Sequence, residues 1–114
     1  MARAAATSDV FNAIAEARRR EIIGLLNCHK ELAVGDLVQQ LRMPQPAVSK
    51  HLSVLRKVGI ATVSRRGKTR LYRLNAMKLK PLHDWAKTFE HFWDNQLGVI
   101  KKHSEQRNEA ALRS

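Results

Sequence analysis

Side chains able to read a nucleic acid are gathered in one stretch, 44-PQPAVSKHLSVLRKVGI-60. At about 100° per helical residue, Val48, Leu52 and Leu55 fall on one side, while Pro46, Ser49, Lys50, Ser53 and Lys57 centre on the other. The chemistry such a face can do is hydrogen bonding to base edges. Ser49 and Ser53 are short enough to let a helix approach closely. Lys50 can reach a guanine edge or a phosphate, and Gln45, near the N-terminus, can pair with an adenine. His51 lies at the flank of the apolar side, which suits packing or a phosphate contact better than base reading. A second group, Arg65, Arg66, Lys68 and Arg70, surrounds Gly67. Guanidinium groups there can follow a phosphate backbone or enter a narrow minor groove. An ordinary solvated turn would also carry charge, but four cations in six residues exceed what solubility requires.

The charge of the whole chain points the same way. Its 114 residues carry 21 Lys and Arg against 10 Asp and Glu, a net charge of +11. From Arg42 to Lys80 there is no acid at all, and this segment holds Arg42, Lys50, Arg56, Lys57, Arg65, Arg66, Lys68, Arg70, Arg73, Lys78 and Lys80. Those 11 cations equal the whole excess, so the rest of the chain is neutral. A contiguous basic block is the footprint of a polyanion binder, because neutralised phosphates release counterions. A basic face kept for solubility is the plainer alternative.

These groups need elements to hold them. Val10, Phe11, Ile14, Ile22, Ile23, Leu25 and Leu26 in 8-SDVFNAIAEARRREIIGLLNCHKE-31 recur at helical spacing behind Ser8 or Asp9 as a cap, and predict two helices with a bend near Glu16 and Ala17. Val34, Leu37, Val38 and Leu41 predict a short amphipathic helix over 33–41. Pro44 biases Met43 toward extended geometry and ends that helix, and a second helix resumes at Gln45 or Pro46, with Pro46 suited to its first position. After Gly59 the period changes. Ile60, Thr62 and Ser64 alternate with Ala61 and Val63, the chain turns around Gly67, and Leu71 to Leu74 resume, which predicts a two-stranded hairpin with a basic tip. Leu82, Trp85, Phe89, Phe92, Trp93, Leu97 and Ile100 then predict one long helix from about Met77 to Glu105. The expected fold is mainly α with a small β-hairpin wing (α+β). A single domain is expected over residues 1–105, with residues 106–114 a polar C-terminal tail.

Helix, turn, helix and basic hairpin, in that order and with the second helix and the hairpin inside the acid-free block, form a winged helix-turn-helix. The residues 48-VSKHLSVLRKVGI-60 and the hairpin ending 71-LYRL-74 resemble the ArsR/SmtB family of bacterial winged-helix repressors. The resemblance runs from Phe11 to about Ile100. It implies a homodimeric repressor whose first and last helices form the dimer interface, with a recognition helix beginning near Gln45 and a wing on the phosphates. The helices at both ends would place Phe11, Ile14, Leu82, Trp85, Phe89, Phe92, Trp93 and Leu97 at that interface. At Pro44 the chain departs from the family, which commonly places a capping Ser or Thr there. The family's metal box, of the kind ELCVCDL, reads 31-ELAVGDL-37 here, with Ala33 and Gly35 where thiolates would stand. At the family's other site, on the last helix, Asp84 is followed by Ala86 where a histidine would be, and Leu97 and Ile100 fall at the second pair. The chain thus resembles a subgroup with a tryptophan-rich last helix and no metal box. No metal and no cofactor is expected.

The function expected is a dimeric, sequence-specific transcriptional regulator that binds double-stranded DNA. Repression at an inverted-repeat operator, possible also at its own promoter, follows from the resemblance. A basic RNA-binding or ribosome-associated module is the alternative, although the block offers only Tyr72 for base stacking. A thiol- or metal-responsive sensor is a lesser one. Cys28 beside His29 and Lys30 would be its reactive group, but a lone cysteine ending an apolar helix reads first as a small core residue. The aromatic run 89-FEHFWDNQL-97 reads as a packing seam before an effector pocket, and the residues name no small-molecule effector. No catalytic constellation stands out. With no run of about 18 apolar residues and no secretion signal in MARAAATSDV, a cytoplasmic chain without a membrane partner is expected.

Overall fold

The computed structural model of the chain describes residues 9–96. Helix α1 covers residues 9–13 and α2 Ala17–Cys28, and a short strand, β1 (Leu32–Ala33), leads into α3 (Val34–Leu41). Helix α4 (Gln45–Lys57), strands β2 (Ala61–Arg66) and β3 (Thr69–Leu74), a 3-10 turn (Ala76–Leu79), α5 (Lys80–Lys87) and α6 (Glu90–Gln96) follow. The described residues divide into two compact units at Leu82 and His83. Among them no helix is long and apolar enough to cross a membrane.

The bend expected near Glu16 and Ala17 lies between α1 and α2, and arginines build it. A helix end leaves carbonyls without partners. Arg19 donates from Nε to the Ala13 carbonyl (2.5 Å) and from Nη2 to that of Asn12 (3.1 Å), while Arg20 Nη1 donates to Ile14 (2.7 Å) and Ala15 (3.0 Å). Two adjacent arginines thereby cap four successive carbonyls. Arg18 pairs with Glu21 at 3.0 Å. The ARRR run thus serves the fold.

In the first unit the core gathers Ile22 and Leu26 of α2, Leu37 and Leu41 of α3, Val48, Leu52 and Leu55 of α4, and Ile60, Ala61 and Tyr72. Helix α3 starts with the Asp36 carboxylate accepting the Ala33 amide (3.0 Å). It ends at Arg42, whose backbone is left-handed (φ 55°) and whose amide reaches the Val38 carbonyl (2.9 Å), so the chain turns sharply into α4.

Strands β2 and β3 pair antiparallel, Ala61 opposite Leu74 through Arg66 opposite Thr69. The two-residue turn Gly67-Lys68 has positive φ only at Gly67 (65°), the signature of a II′ turn that matches the twist of the strands. The hairpin expected from the sequence is therefore part of a larger sheet of order β1-β3-β2, with Leu32 opposite Tyr72 and Ala33 opposite Leu71. Two residues are too few to show an alternation, so β1 leaves no periodic signal.

The single long helix expected from Met77 is interrupted. Bonds from the Thr88 amide to the Trp85 carbonyl and from the Phe89 amide to the Ala86 carbonyl, both 3.1 Å, tighten the end of α5, and the Thr88 hydroxyl also donates to Trp85 (2.7 Å). Trp93 then bonds back to Phe89 to open α6. Aromatic spacing carries on across this break, which hides it in the sequence. The expected continuation over 97–105 and the tail 106–114 lie outside the described residues, as does Ser8.

Candidate nucleic-acid interface

Three side chains set the rotation of α4. Val48, Leu52 and Leu55 are fully buried, and each contributes on the order of 2 kcal/mol by leaving water. Turning the helix about its axis would expose all three. With that face anchored, Gln45, Pro46, Ser49, Lys50, Ser53, Arg56 and Lys57 are exposed together. No side chain caps α4. The Pro44 carbonyl instead receives the amides of Ala47 (3.1 Å) and Val48 (3.2 Å), and Gln45 takes the first helical position, with Pro46 second rather than first. Position two also leaves an amide without a helical partner, so proline fits there at no loss.

The C-terminal end is equally defined. Gly59 has φ 81°, its amide bonds to the Arg56 carbonyl (3.0 Å), and the Ile60 amide reaches Leu55 (3.0 Å). This is a Schellman motif, with fully buried Leu55 and Ile60 as its hydrophobic pair. It delivers the chain into β2, so helix and wing share one fixed junction.

The pleat sorts the wing cations onto two faces. Ala61, Val63 and Arg65 alternate with Thr62, Ser64 and Arg66, and the partners of the first set are Leu74, Tyr72 and Arg70. Buried Ala61 and Tyr72 mark that first face as the core side, so Arg65 and Arg70 project from it beyond the core's edge. They stand directly opposite each other, an arrangement unfavourable for like charges until an anion comes between them. With tip residue Lys68 they have no acidic partner among the described residues.

Arg66 and Arg73 belong to the other face, and an acid from outside the basic block meets them there. Glu31 accepts Arg66 Nη2 at 2.8 Å on one oxygen, and Arg73 Nε (3.0 Å) and Nη2 (2.8 Å) on the other. The Arg73 hydrogen bonds, then the charges of both arginines, hold the Glu31 carboxyl below its ordinary 4.5.

His51 is half-buried and turned toward the helix bend, its Nδ1 3.6 Å from Glu16 Oε2 and 3.5 Å from Arg19 Nη1. Arg56 is exposed on this side of α4 too, although from the sequence it is named only as part of the basic block. It stands between Gln45 and Ser49 around the helix, and the helical angle alone would have placed it there. Cys28 is exposed, which corrects the expectation of a core residue: at the last position of α2 it lies past Leu26, the last residue of that helix to be buried. Among the described residues no three His, Cys, Asp or Glu side chains converge as for a metal ion.

In the region assigned to dimerisation, Phe11, Ile14 and Leu82 are half-buried. Trp85, Phe89, Phe92 and Trp93 are 57, 45, 60 and 43% exposed, and the rings of Trp85 and Phe89 meet edge to face at 5.4 Å. Leu97 lies outside the described residues.

A sheet-linked helix-turn-helix with this surface is a winged helix-turn-helix built to meet a duplex. Residues 16–63 match the family described as bacterial regulatory protein, arsR family. The transcriptional repressor SdpR of Bacillus subtilis is 30% identical over 90 residues, covering 79% of this chain and 99% of SdpR. An ArsR-like transcriptional regulator from Rhodococcus sp. RHA1 superposes with a TM-score of 0.70 at 25% identity, over 90% of this chain and 93% of that one. The homodimeric winged helix-turn-helix DNA-binding domain of Mb0332 from Mycobacterium bovis shares the fold, with a TM-score of 0.65 at 24% identity over 81% of this chain and 86% of that one. The chain belongs to the arsR family of bacterial regulatory proteins, and is a transcriptional regulator with a winged helix-turn-helix DNA-binding fold.

Proposed function

We propose that the chain is a cytoplasmic homodimeric repressor that reads an inverted-repeat operator, with no enzymatic activity, and that residues 1–105 work as one domain. The observation that carries this reading is the division of α4. Three fully buried anchors hold it while uncharged and cationic side chains face outward, beside a wing whose Arg65, Lys68 and Arg70 have no acidic partner among the described residues. Gln45, Ser49, Lys50 and Ser53 read base edges from the first turns of α4. Arg56, Lys57, Arg65, Lys68 and Arg70 contact phosphates, which position the protein without carrying sequence information. His51 holds α4 against the α1–α2 bend.

Repression is supported by the likeness to SdpR, a transcriptional repressor. The homodimer is supported by the homodimeric Mb0332 domain and by four large aromatic side chains left 43 to 60% exposed on α5, α6 and the turn between them. Clustered exposed aromatics mark an interface. Selection from a randomised duplex pool tests the proposal. It should recover two half-sites in inverted order, about 10 base pairs apart centre to centre or a small multiple of that. Recovery of one unpaired half-site would refute the dimer, and recovery of no consensus would refute base reading by α4.

A further inference from the structure

We infer that Glu31 limits the number of phosphate contacts the wing can make, by occupying Arg66 and holding it back along the outer face of the sheet. The inference rests on the DNA-binding reading above.

Register is the first argument. Leu32 faces Tyr72 in the β1–β3 pair, so Glu31 comes beside Arg73, whereas Arg66 is opposite Thr69. Those two positions on β3 are four residues apart, about 13 Å. For its Nη2 to lie 2.8 Å from Glu31, the Arg66 side chain must run back from the tip toward the base of the wing. Arg65 and Arg70 sit on the opposite face, without an acidic partner among the described residues.

Chemistry is the second. Glu31 presents one oxygen to Arg66 and the other to the Nε and Nη2 of Arg73, the fork geometry a phosphate would otherwise receive. Anchored by Arg73 and only 15% exposed, the carboxylate cannot follow Arg66 outward. The Arg66 side chain is itself 73% exposed, and Glu31 is its one acidic partner among the described residues. A guanidinium released beside Gly67 would reach the backbone of any duplex. The wing therefore meets DNA with three cations instead of four, and sequence-independent affinity is held down.

The salt dependence of binding to scrambled duplex tests this, with wild type, Glu31→Gln, Arg66→Ala and the double variant compared by fluorescence anisotropy. Glu31→Gln keeps the side-chain shape, and each protomer of a dimer gains one contact. Its affinity should fall about tenfold further than that of the wild type between roughly 50 and 200 mM salt. Arg66→Ala alone should leave the slope unchanged, and the double variant should return to the wild-type slope. An unchanged slope in Glu31→Gln would overturn the inference. So would a shallower slope with weaker binding, which would make Glu31 a brace for the wing, or a steepening that persists without Arg66. A wild-type protein that bound no duplex at all would instead refute the DNA-binding reading.

Discussion

Replacing Arg65 and Arg70 together by alanine should flatten the salt dependence of DNA binding by an amount the wing geometry fixes. Both side chains project from the core-side face of the hairpin and neither has an acidic partner among the described residues, so both can displace counterions. Two contacts on each of two wings make four for the dimer. At about 0.9 per contact, the slope of log affinity against log salt should fall by about 3.6. Between roughly 50 and 200 mM salt the variant should then lose about a hundredfold less affinity than the wild type, for operator and scrambled duplex alike. Anisotropy titrations at several salt concentrations measure it directly. Loss of fold should not imitate the effect, because the substitution removes a like-charge pair facing across two strands. An unchanged slope would refute the placement of these arginines on phosphates. Equal flattening by Arg66→Ala would refute the sorting of the wing cations by strand face.

Further expectations concern the frame and the interface. Gly59→Ala forces a Cβ into a left-handed position 3.0 Å from the Lys78 side chain and should destabilise the chain by about 1–2 kcal/mol, read as a lower thermal midpoint. Trp93→Ala removes an exposed aromatic from both partners of the proposed dimer; at about 2 kcal/mol each, the dimer Kd should rise roughly a thousandfold, visible by sedimentation. Because the Glu31 carboxyl is held below 4.5, its ion pairs stabilise the wing above that pH and are lost as pH falls through the lowered value. A titration followed by carboxyl NMR should place the Glu31 midpoint below 4.5 in the wild type and move it upward in Arg73→Ala.

How much of this was legible in the sequence depended on the range of the interaction. Helix α4 could be read from its own residues because Val48, Leu52 and Leu55 repeat at three and four residues, and a helix face is a local property. Helix α3 and the hairpin were legible for the same reason. What escaped were features made by contact between distant segments. Strand β1 exists only because Leu32 and Ala33 find Tyr72 and Leu71. Glu31 lies 35 residues before Arg66 and looks unrelated to it, yet the sheet brings the two within 2.8 Å. The acid-free block therefore overstated the free charge of the wing. The run Arg18 to Arg20 likewise gave no sign that Arg19 and Arg20 cap the carbonyls from Asn12 to Ala15 at the end of α1 and in the bend. The interrupted last helix is another case, since Phe89 continues the aromatic spacing while the bonds of Thr88 end the turn.

The most direct test of base reading by α4 is anisotropy of the purified protein on the duplex upstream of its own gene, titrated across salt against scrambled duplex and RNA of equal length. Tight binding to the upstream duplex that survives salt is expected, with weaker and steeply salt-dependent binding to the other two. Ser49→Ala or Lys50→Ala should narrow that difference while leaving scrambled binding nearly unchanged for Ser49→Ala. Equal affinity for all three nucleic acids would contradict the account, because it would leave a basic surface with no residue that reads a base.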